Sequence, residues 1–239
     1  MAHVPRLYVP GRIGPGPLTL DADAAHRLFA VMRLRAGDSF LVFSGDGKEW
    51  AAAVSAAEKN RIQATVGEVT RTVTPLPLVL ECWCAVVRPN RFDWAIEKST
   101  EAGVDVFRPL VTEHSARGEA PSGTREQRWE RLAVEAAEQS GRLSVPVIAP
   151  VAKFEQLLDH PMGTLMVFDR DGRAWQATVP LVPEQGRVTL AVGPEGGFSH
   201  DEVSAARARG ALVVSLGPNI LRTETAAVAA VVLLRSLGR

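Results

Sequence analysis

Cysteine is scarce in this 239-residue chain: the two that occur, Cys82 and Cys84, stand in "ECWCAVV" with no histidine near them. A metal site needs more ligands than two side chains on one face of an extended run, so no metal is expected. The pair reads as buried thiols in a reducing compartment. An excess of one charge is missing too. Lysine plus arginine and aspartate plus glutamate stand at 27 each, so net charge argues neither for nor against nucleic acid, and only local charge can decide. No stretch approaches the roughly 20 apolar residues of a membrane span, and "MAHVPRLYVPGR" has no apolar core of signal-peptide length. A soluble, cytoplasmic protein with no membrane partner is expected. Internal repeats and low-complexity tracts are absent.

Several catalytic signatures are absent as well. Without G-x-x-x-x-G-K-[ST] a phosphate-cradling nucleotidase is disfavoured, and without Gly-x-Ser-x-Gly so is an α/β hydrolase. The first strand of the α/β region leads into "RPNRFDW" rather than G-x-G-x-x-G, which disfavours a Rossmann-type cofactor site.

What is present divides near residues 72–76, where the two prolines of "TVTPLPLVL" interrupt the pattern. Before them come short strands and turns: "RLYVP", a helical piece "ADAAHRLFAVMRL", and apolar runs joined at Asp46-Gly47, a strong hairpin signal. Residues 1–73 are therefore expected to form a small β barrel. In residues 74–239 strands and helices alternate, from "LVLECWCAVV" and "RFDWAIEKSTEAG" to "VTLAVG", a helix entered at Ser199, "ALVVSL" and a terminal helix. That alternation predicts an α/β fold with a mostly parallel sheet and helices on both faces. Ligands of such sheets sit beyond the C-terminal ends of the strands.

Two loops satisfy that rule. "LAVGPEGGFSHDE" leaves a buried strand through Gly193, Pro194, Glu195, Gly196 and Gly197, and enters a helix at Ser199 with Glu202 completing a capping box. A tight strand-to-helix turn is one explanation, but three glycines in five residues exceed its needs and would let backbone N–H groups approach a ligand. The second loop, "LGPNILRTETAAVAAVVLL", puts Arg222, Thr223, Glu224 and Thr225 at the mouth of an uncharged helical run. Thr223 or Thr225 can cap the helix and Glu224 suits its positive end. Arg222 opposes the dipole and needs a carboxylate or an anionic ligand.

The stretches "HRLFAVMRLRAGD", "FSGDGKEW", "EKSTEAGV", "PLVTEHS", "RWERLAVEAAEQSGR", "AVGPEGGFS" and "LGPNILRTETA" occur in an order and at separations that resemble the ribosomal RNA uridine-N3 methyltransferase family of RsmE type, a branch of the SPOUT methyltransferases. The likeness covers essentially the whole chain. It implies an N-terminal PUA-like β barrel and a C-terminal α/β domain with a trefoil knot. It also implies a homodimer whose S-adenosylmethionine pocket lies at the subunit interface. The matching cofactor positions are Gly193 to Gly197, Leu216, Gly217, Ile220, Leu221, Arg222, Thr223, Thr225 and Ala226, with Phe168, Asp169 and Arg170 as a further wall. Asn219 stands where the family usually has arginine, and "VVRPNRFDW" lacks the common Lys-Gly.

The implied reaction, methylation of N3 of one uridine in 16S ribosomal RNA, requires loss of the N3 proton and in-line attack on a sulfonium methyl, so positioning and electrostatics carry it. Arg222 suits either the charge developing on the uracil oxygens or the cofactor carboxylate. Glu224 is a candidate base as well as a helix-end carboxylate. N3 lies on the pairing edge, so the uridine must be unpaired or extruded. Arg6, Arg12, Arg27, Arg33, Arg35 and Lys48 in the first domain, with Arg88, Arg91, Lys98 and Arg142 in the second, are candidate phosphate contacts. His114 and Gln139 are read as satisfying local hydrogen bonds. The alternatives are methylation of another RNA nucleotide and a non-catalytic RNA-binding assembly factor.

Overall fold

A computed structural model of the chain describes residues 4–28, 32–58, 61–115, 123–159 and 163–238. The chain divides into two compact units, Met1–Pro75 with Ala137–Val145, and Leu76–Ala136 with Pro146–Arg239.

The first unit contains β1 (Arg6–Tyr8), β2 (Gly16–Leu20), α1 (Ala22–His26), β3 (Ser39–Phe43), β4 (Lys48–Glu58) and β5 (Arg61–Thr72). They form a mixed five-stranded sheet in the order β1-β3-β4-β5-β2, with β1 parallel to β3 and the other pairs antiparallel. The hairpin expected at Asp46-Gly47 joins β3 to β4. Asp46 Oδ1 accepts from the Lys48 amide at 3.0 Å, and Gly47 has φ +82°, a conformation suited to glycine. Period-two alternation turns Ile62, Ala64 and Val66 of β5 inward, where they meet Leu7, Leu28, Phe40 and Val42. Of the helix expected over "ADAAHRLFAVMRL", α1 covers Ala22–His26, and residues 27–28 continue it in a wider helical turn. Asp21 Oδ1 caps α1 through the Ala24 amide at 2.8 Å, α1 ends at His26, residues 29–31 lie outside the described residues, and Arg33 has φ +60°.

Ala137–Val145 joins this sheet although no sequence boundary marks it. Ala137 and Leu143 pack on Phe43. The buried Glu138 accepts from the Tyr8 amide at 2.8 Å and pairs with Arg27 at 2.9 Å.

The second unit runs β6 (Leu78–Ala85), α2 (Pro89–Ala102), β7 (Val106–Val111), α3 (Gly123–Ser140, its last turn in the first unit), β8 (Val147–Ile148), β9 (Ala152–Lys153), α4 (Phe154–Leu158), β10 (Thr164–Ala174), α5 (Trp175–Thr178), β11 (Gly186–Val192), α6 (His200–Ala208), β12 (Leu212–Ser215) and α7 (Thr223–Arg235). The expected parallel sheet is seven-stranded, ordered β12-β10-β11-β6-β7-β8 with β9 also on β7, and its pairs are all parallel. Local signals set the helix ends. Proline opens α2 and Gly103, with φ +105°, closes it. Ser199 and Glu202 form the expected capping box on α6. At the far end of α7, Arg235 donates to the carbonyls of Gly103 and Leu78 at 2.8 Å each and pairs with Asp105.

Strand β6 is buried along most of its length, as an interior parallel strand should be. Its one carboxylate, Glu81, accepts from Trp83 Nε1 at 2.8 Å and pairs with Arg187 at 2.6 Å and Arg108 at 3.3 Å. Cys82 and Cys84 are buried free thiols. Burial, followed by the Glu81 charge, pushes the Cys82 thiol up to about 12, and burial raises Cys84 well above its ordinary value. Among the described residues no helix is long and apolar enough to cross a membrane.

Because the thiolate is the nucleophile, neither cysteine should react with an aromatic disulfide reagent at mildly alkaline pH while the protein is folded. Stopped-flow absorbance in denaturant should show both thiols reacting at the rate of global unfolding. Fast labelling of the native protein would contradict this packing.

Candidate functional site

Beyond the C-terminal ends of β10, β11 and β12 the second unit has a cavity of about 500 Å³, within the range of small-molecule sites. One wall is a local irregularity in β10. Phe168 and Arg173 both pair with Val214, so residues 169–172 are looped out between them. Asp169 Oδ1 accepts from the Asp171 amide at 2.9 Å. Gly172 lies so close to β12 that a Cβ there would come within 2.5 Å of the Val214 carbonyl carbon. The second wall is Gly193–Phe198 and the third is built from Val214–Gly217 and the residues leading into α7.

Of the expected cofactor positions, Phe168, Asp169, Arg170, Gly193, Pro194, Glu195, Gly196, Gly197, Leu216, Gly217, Ile220, Leu221, Thr223 and Ala226 line this cavity, whereas Arg222 and Thr225 do not. The lining also includes Asp171, Asn219 and, from α6, His200, Val203 and Arg207. Sequence reading passed over these three, although their spacing of three and four places them on one helix face.

Gly193, Gly196 and Gly197 line the cavity and have packing reasons as well. A Cβ on Gly193 would come within 3.1 Å of the Phe198 ring and one on Gly196 within 3.3 Å of His114 Cβ, while Gly197 has φ +72°. His114 Nδ1 lies 3.2 Å from the carbonyl oxygen of Gly197, 83 residues away, and Gln139 is exposed.

Neither Thr223 nor Thr225 caps α7, contrary to the sequence expectation. The N-cap position of α7 is Arg222, which makes no side-chain cap. Thr223, the first helical residue, instead donates its hydroxyl to the Gly193 carbonyl at 3.0 Å, tying the α7 entrance to the glycine loop. Glu224 is buried and absent from the cavity lining. Its Oε1 lies 3.8 Å from Arg91 Nε and its Oε2 has no hydrogen-bond partner. The same Arg91 side chain pairs with Glu195. One guanidinium on α2 thus serves a carboxylate in each of the two loops. Arg222 is exposed, and no carboxylate pairs with it among the described residues.

Several expected phosphate contacts are engaged elsewhere. Arg6 pairs with Glu49 at 2.9 Å, Arg27 with Glu138 at 2.9 Å, and Lys98 with Glu97 and Glu101 at 2.8 and 2.7 Å. Arg142 Nη2 donates to Ser144 Oγ at 3.1 Å and Arg35 Nη1 to the Leu34 carbonyl at 3.4 Å. Arg12, Arg33, Lys48 and Arg88 are exposed without ion pairs among the described residues.

These contacts rank the substitutions around Arg91. Arg91→Met should destabilise the folded state by roughly 2–3 kcal/mol, because it leaves the Glu224 carboxylate buried without its cation. Glu195→Gln, at a side chain 57% exposed, should cost at most about 1 kcal/mol. Urea unfolding of the two variants beside the parent measures the difference, and equal losses would contradict the unequal burial.

Residues 74–235 match the RNA methyltransferase domain family and residues 20–67 the RNA methyltransferase PUA domain family. Ribosomal RNA small subunit methyltransferase E of a Synechocystis strain is 33% identical over 97% of this chain and 77% of its own length. The protein of the same name from Bacillus subtilis is 29% identical over 87% of this chain and 85% of its own. Among solved structures, a Legionella pneumophila protein described as a methyltransferase, in complex with S-adenosylmethionine, superposes with TM-score 0.91 at 29% identity, covering 99% of this chain and 98% of that one. The Neisseria gonorrhoeae ribosomal RNA small subunit methyltransferase E bound to S-adenosylmethionine gives TM-score 0.87 at 30% identity, with 98% of each chain covered. The whole-length matches and the cavity at the strand ends agree: this chain belongs to the ribosomal RNA small subunit methyltransferase E family, with a PUA domain followed by a SPOUT-type methyltransferase domain.

Proposed function

We propose that this chain is a cytoplasmic, homodimeric enzyme that transfers a methyl group from S-adenosylmethionine to N3 of a specific uridine in 16S ribosomal RNA of the small subunit. The observation that carries the reading is the cavity walled by the looped-out residues of β10 and the loops after β11 and β12, in a chain whose relatives of this fold were solved with that cofactor. The donor set fits the cofactor. Ile220 and Leu221 offer apolar surface at the rim, Asp169, Asp171 and Glu195 offer acceptors for hydroxyl or ammonium groups, and Arg170 offers a cation for a carboxylate. When bound, S-adenosylmethionine supplies an electrophilic methyl on sulfur.

The remaining work falls to the chain. Thr223 and Arg91 hold the two loops in one arrangement, so the reactants meet preorganised walls. Arg222, exposed beside Leu221 and Thr223 and without a carboxylate partner among the described residues, is a cation available to stabilise negative charge spreading onto the uracil oxygens as N3 loses its proton. We assign Glu224 to holding Arg91 rather than to proton abstraction, since it does not line the cavity. In this reading residues 1–73 contact RNA and residues 74–239 hold the cofactor. Among the described residues Arg12, Arg33, Lys48 and Arg88 are sequence-predicted phosphate contacts that are exposed and without an ion pair.

Two finer family features belong to the same proposal: the rolling of the first sheet into a barrel, and the trefoil knot. In support of the knot, the chain leaves edge strand β12 through residues 216–222 and returns in α7 to pack on the interior strands β6 and β11 and on α2. In support of the dimer, α7 buries only the stripe Thr223, Glu224, Ala227, Ala230, Val231 and Leu234, and leaves Val232 48% exposed. On α2, against which α7 packs, Trp94 is 41% exposed. An apolar patch of this kind marks an interaction surface.

Calorimetric titration of the protein with S-adenosylmethionine should give one site per chain, and ribosomal RNA from a deletion strain should lack one N3-methyluridine by mass spectrometry. Arg222→Ala should lower kcat by roughly 10- to 100-fold, in the range of a lost charge-stabilising donor, with the cofactor Kd nearly unchanged. A cofactor-binding protein whose deletion leaves N3-methyluridine intact would point to a different RNA nucleotide. Full restoration of the modification by Arg222→Ala would remove the role given to Arg222.

A further inference from the structure

Next to the cofactor cavity the second unit has a separate cleft of about 330 Å³ along edge strand β12, lined by Arg173, Thr178, Arg207, Ala211, Leu212 and Val213. Arg207 alone lines both spaces. The cleft thus opens beside the methyl-donor site and shares a guanidinium with it. Its two cations, both exposed, belong with Arg12, Arg33, Arg88 and Arg222 to the arginines that no carboxylate engages among the described residues. Arg6, Arg27, Arg71, Arg91, Arg108, Arg128, Arg187, Arg209 and Arg235 all pair with carboxylates. Arg173 and Arg207 have no such partner among the described residues and no hydrogen bond from their side chains. Thr178, the polar side chain beside them, donates its hydroxyl to the Ala174 carbonyl at 3.1 Å.

We propose that this cleft is a phosphodiester site that grips the RNA backbone beside the nucleotide entering the cavity. Two exposed guanidiniums lining one cleft offer an anion two sets of forked donors with no carboxylate competing for them among the described residues. Guanidinium forks match the paired non-bridging oxygens of a phosphate and bind them with charge-assisted hydrogen bonds. A target base must leave its stack to react, and a fixed phosphate next to the cavity would hold the extruded nucleotide in place. Five of the six lining residues lie outside the cavity lining, which favours the RNA over the cofactor carboxylate as the source of the anion. The proposal rests on the methyltransferase reading for its substrate, but a cationic cleft is testable without turnover.

The probe is a short, fluorescently labelled single-stranded RNA containing uridines, titrated with the full-length protein at several salt concentrations and read by anisotropy. Arg173→Ala should weaken binding roughly 3- to 10-fold and flatten the dependence of log K on log salt by about 0.7, the value of one phosphate contact on a single strand. Arg207→Ala should do the same. Arg173→Lys should keep the salt slope while losing part of the affinity. Calorimetry of Arg173→Ala with S-adenosylmethionine should give the parent Kd, and its thermal melt should superpose on the parent's. Unchanged RNA affinity and slope in both alanine variants would overturn the proposal, as would parent protein that does not bind the RNA. A loss of cofactor affinity in Arg173→Ala with the RNA slope intact would assign the cleft to the cofactor carboxylate and also overturn it. If the parent binds RNA with the expected variant effects yet binds no S-adenosylmethionine, the methyl-donor reading fails and the phosphate site stands.

Discussion

A hydroxyl and a guanidinium tie together the two loops that wall the cavity. Thr223 donates to the Gly193 carbonyl, and Arg91 on α2 pairs with Glu195 in one loop while lying 3.8 Å from Glu224 at the head of α7. The loops follow β11 and β12, which are not neighbours in the sheet because β10 runs between β12 and β11. Backbone ladders therefore cannot set the distance between them, and side chains must. A concave site at the C-terminal edge of a parallel sheet is general to the architecture. Its width in this chain is set by these contacts and by the looped-out residues 169–172.

The balanced composition takes on a different meaning once the pairs are located. Glu49, Glu81 and Glu138 are buried carboxylates, and each is met by arginine: Arg6 and Arg71, Arg108 and Arg187, and Arg27 respectively. A buried carboxylate is tolerated only when paired and hydrogen-bonded, so these arginines are bound to the interior and contribute little to the outer field. Equal totals of the two charges conceal that partition. The arginines left without carboxylates include Arg173, Arg207 and Arg222, which stand in or beside the cavity and the neighbouring cleft. The cavity lining itself is not basic, since Asp169, Asp171 and Glu195 stand there with Arg170 and Arg207, and the unpaired cations lie at its edge and in the neighbouring cleft.

Much of this was legible in the sequence because it depends on short-range rules. Asp46-Gly47 makes its hairpin, Gly103 closes α2, Ser199 and Glu202 box the start of α6, and the strand–helix alternation builds a parallel sheet. Most of the cavity lining was legible too, through a resemblance resting on two loop motifs. What escaped is set by long-range contacts. Nothing in "EAAEQSGRLSV" announces that Ala137–Val145 packs with the first sheet, since the burial of Glu138 arises from Tyr8 and Arg27, more than a hundred residues away. Similarly, Thr223 looks like a cap in sequence because a threonine before an apolar run commonly is one. The helix in fact begins one residue earlier than a Thr223 cap would require, and this frees the hydroxyl to reach Gly193.

The position of Arg222 illustrates how a local cost can be consistent with function. A cation at a helix N-cap opposes the macrodipole, a loss of a few tenths to about 1 kcal/mol at an exposed site, and a serine or aspartate there would have added a cap. Among the described residues neither a carboxylate nor a cap hydrogen bond offsets the loss. Of its neighbours, Thr223 ties the loops and Glu224 lies buried beside Arg91. Arg222 is thus a charged group of the loop with hydrogen-bonding capacity unspent, at the edge of the cavity, where the positive end of α7 adds to its charge. Both features raise the local potential in the same direction. They suit a site in which negative charge appears on a substrate oxygen during the reaction and must be met by groups already in place.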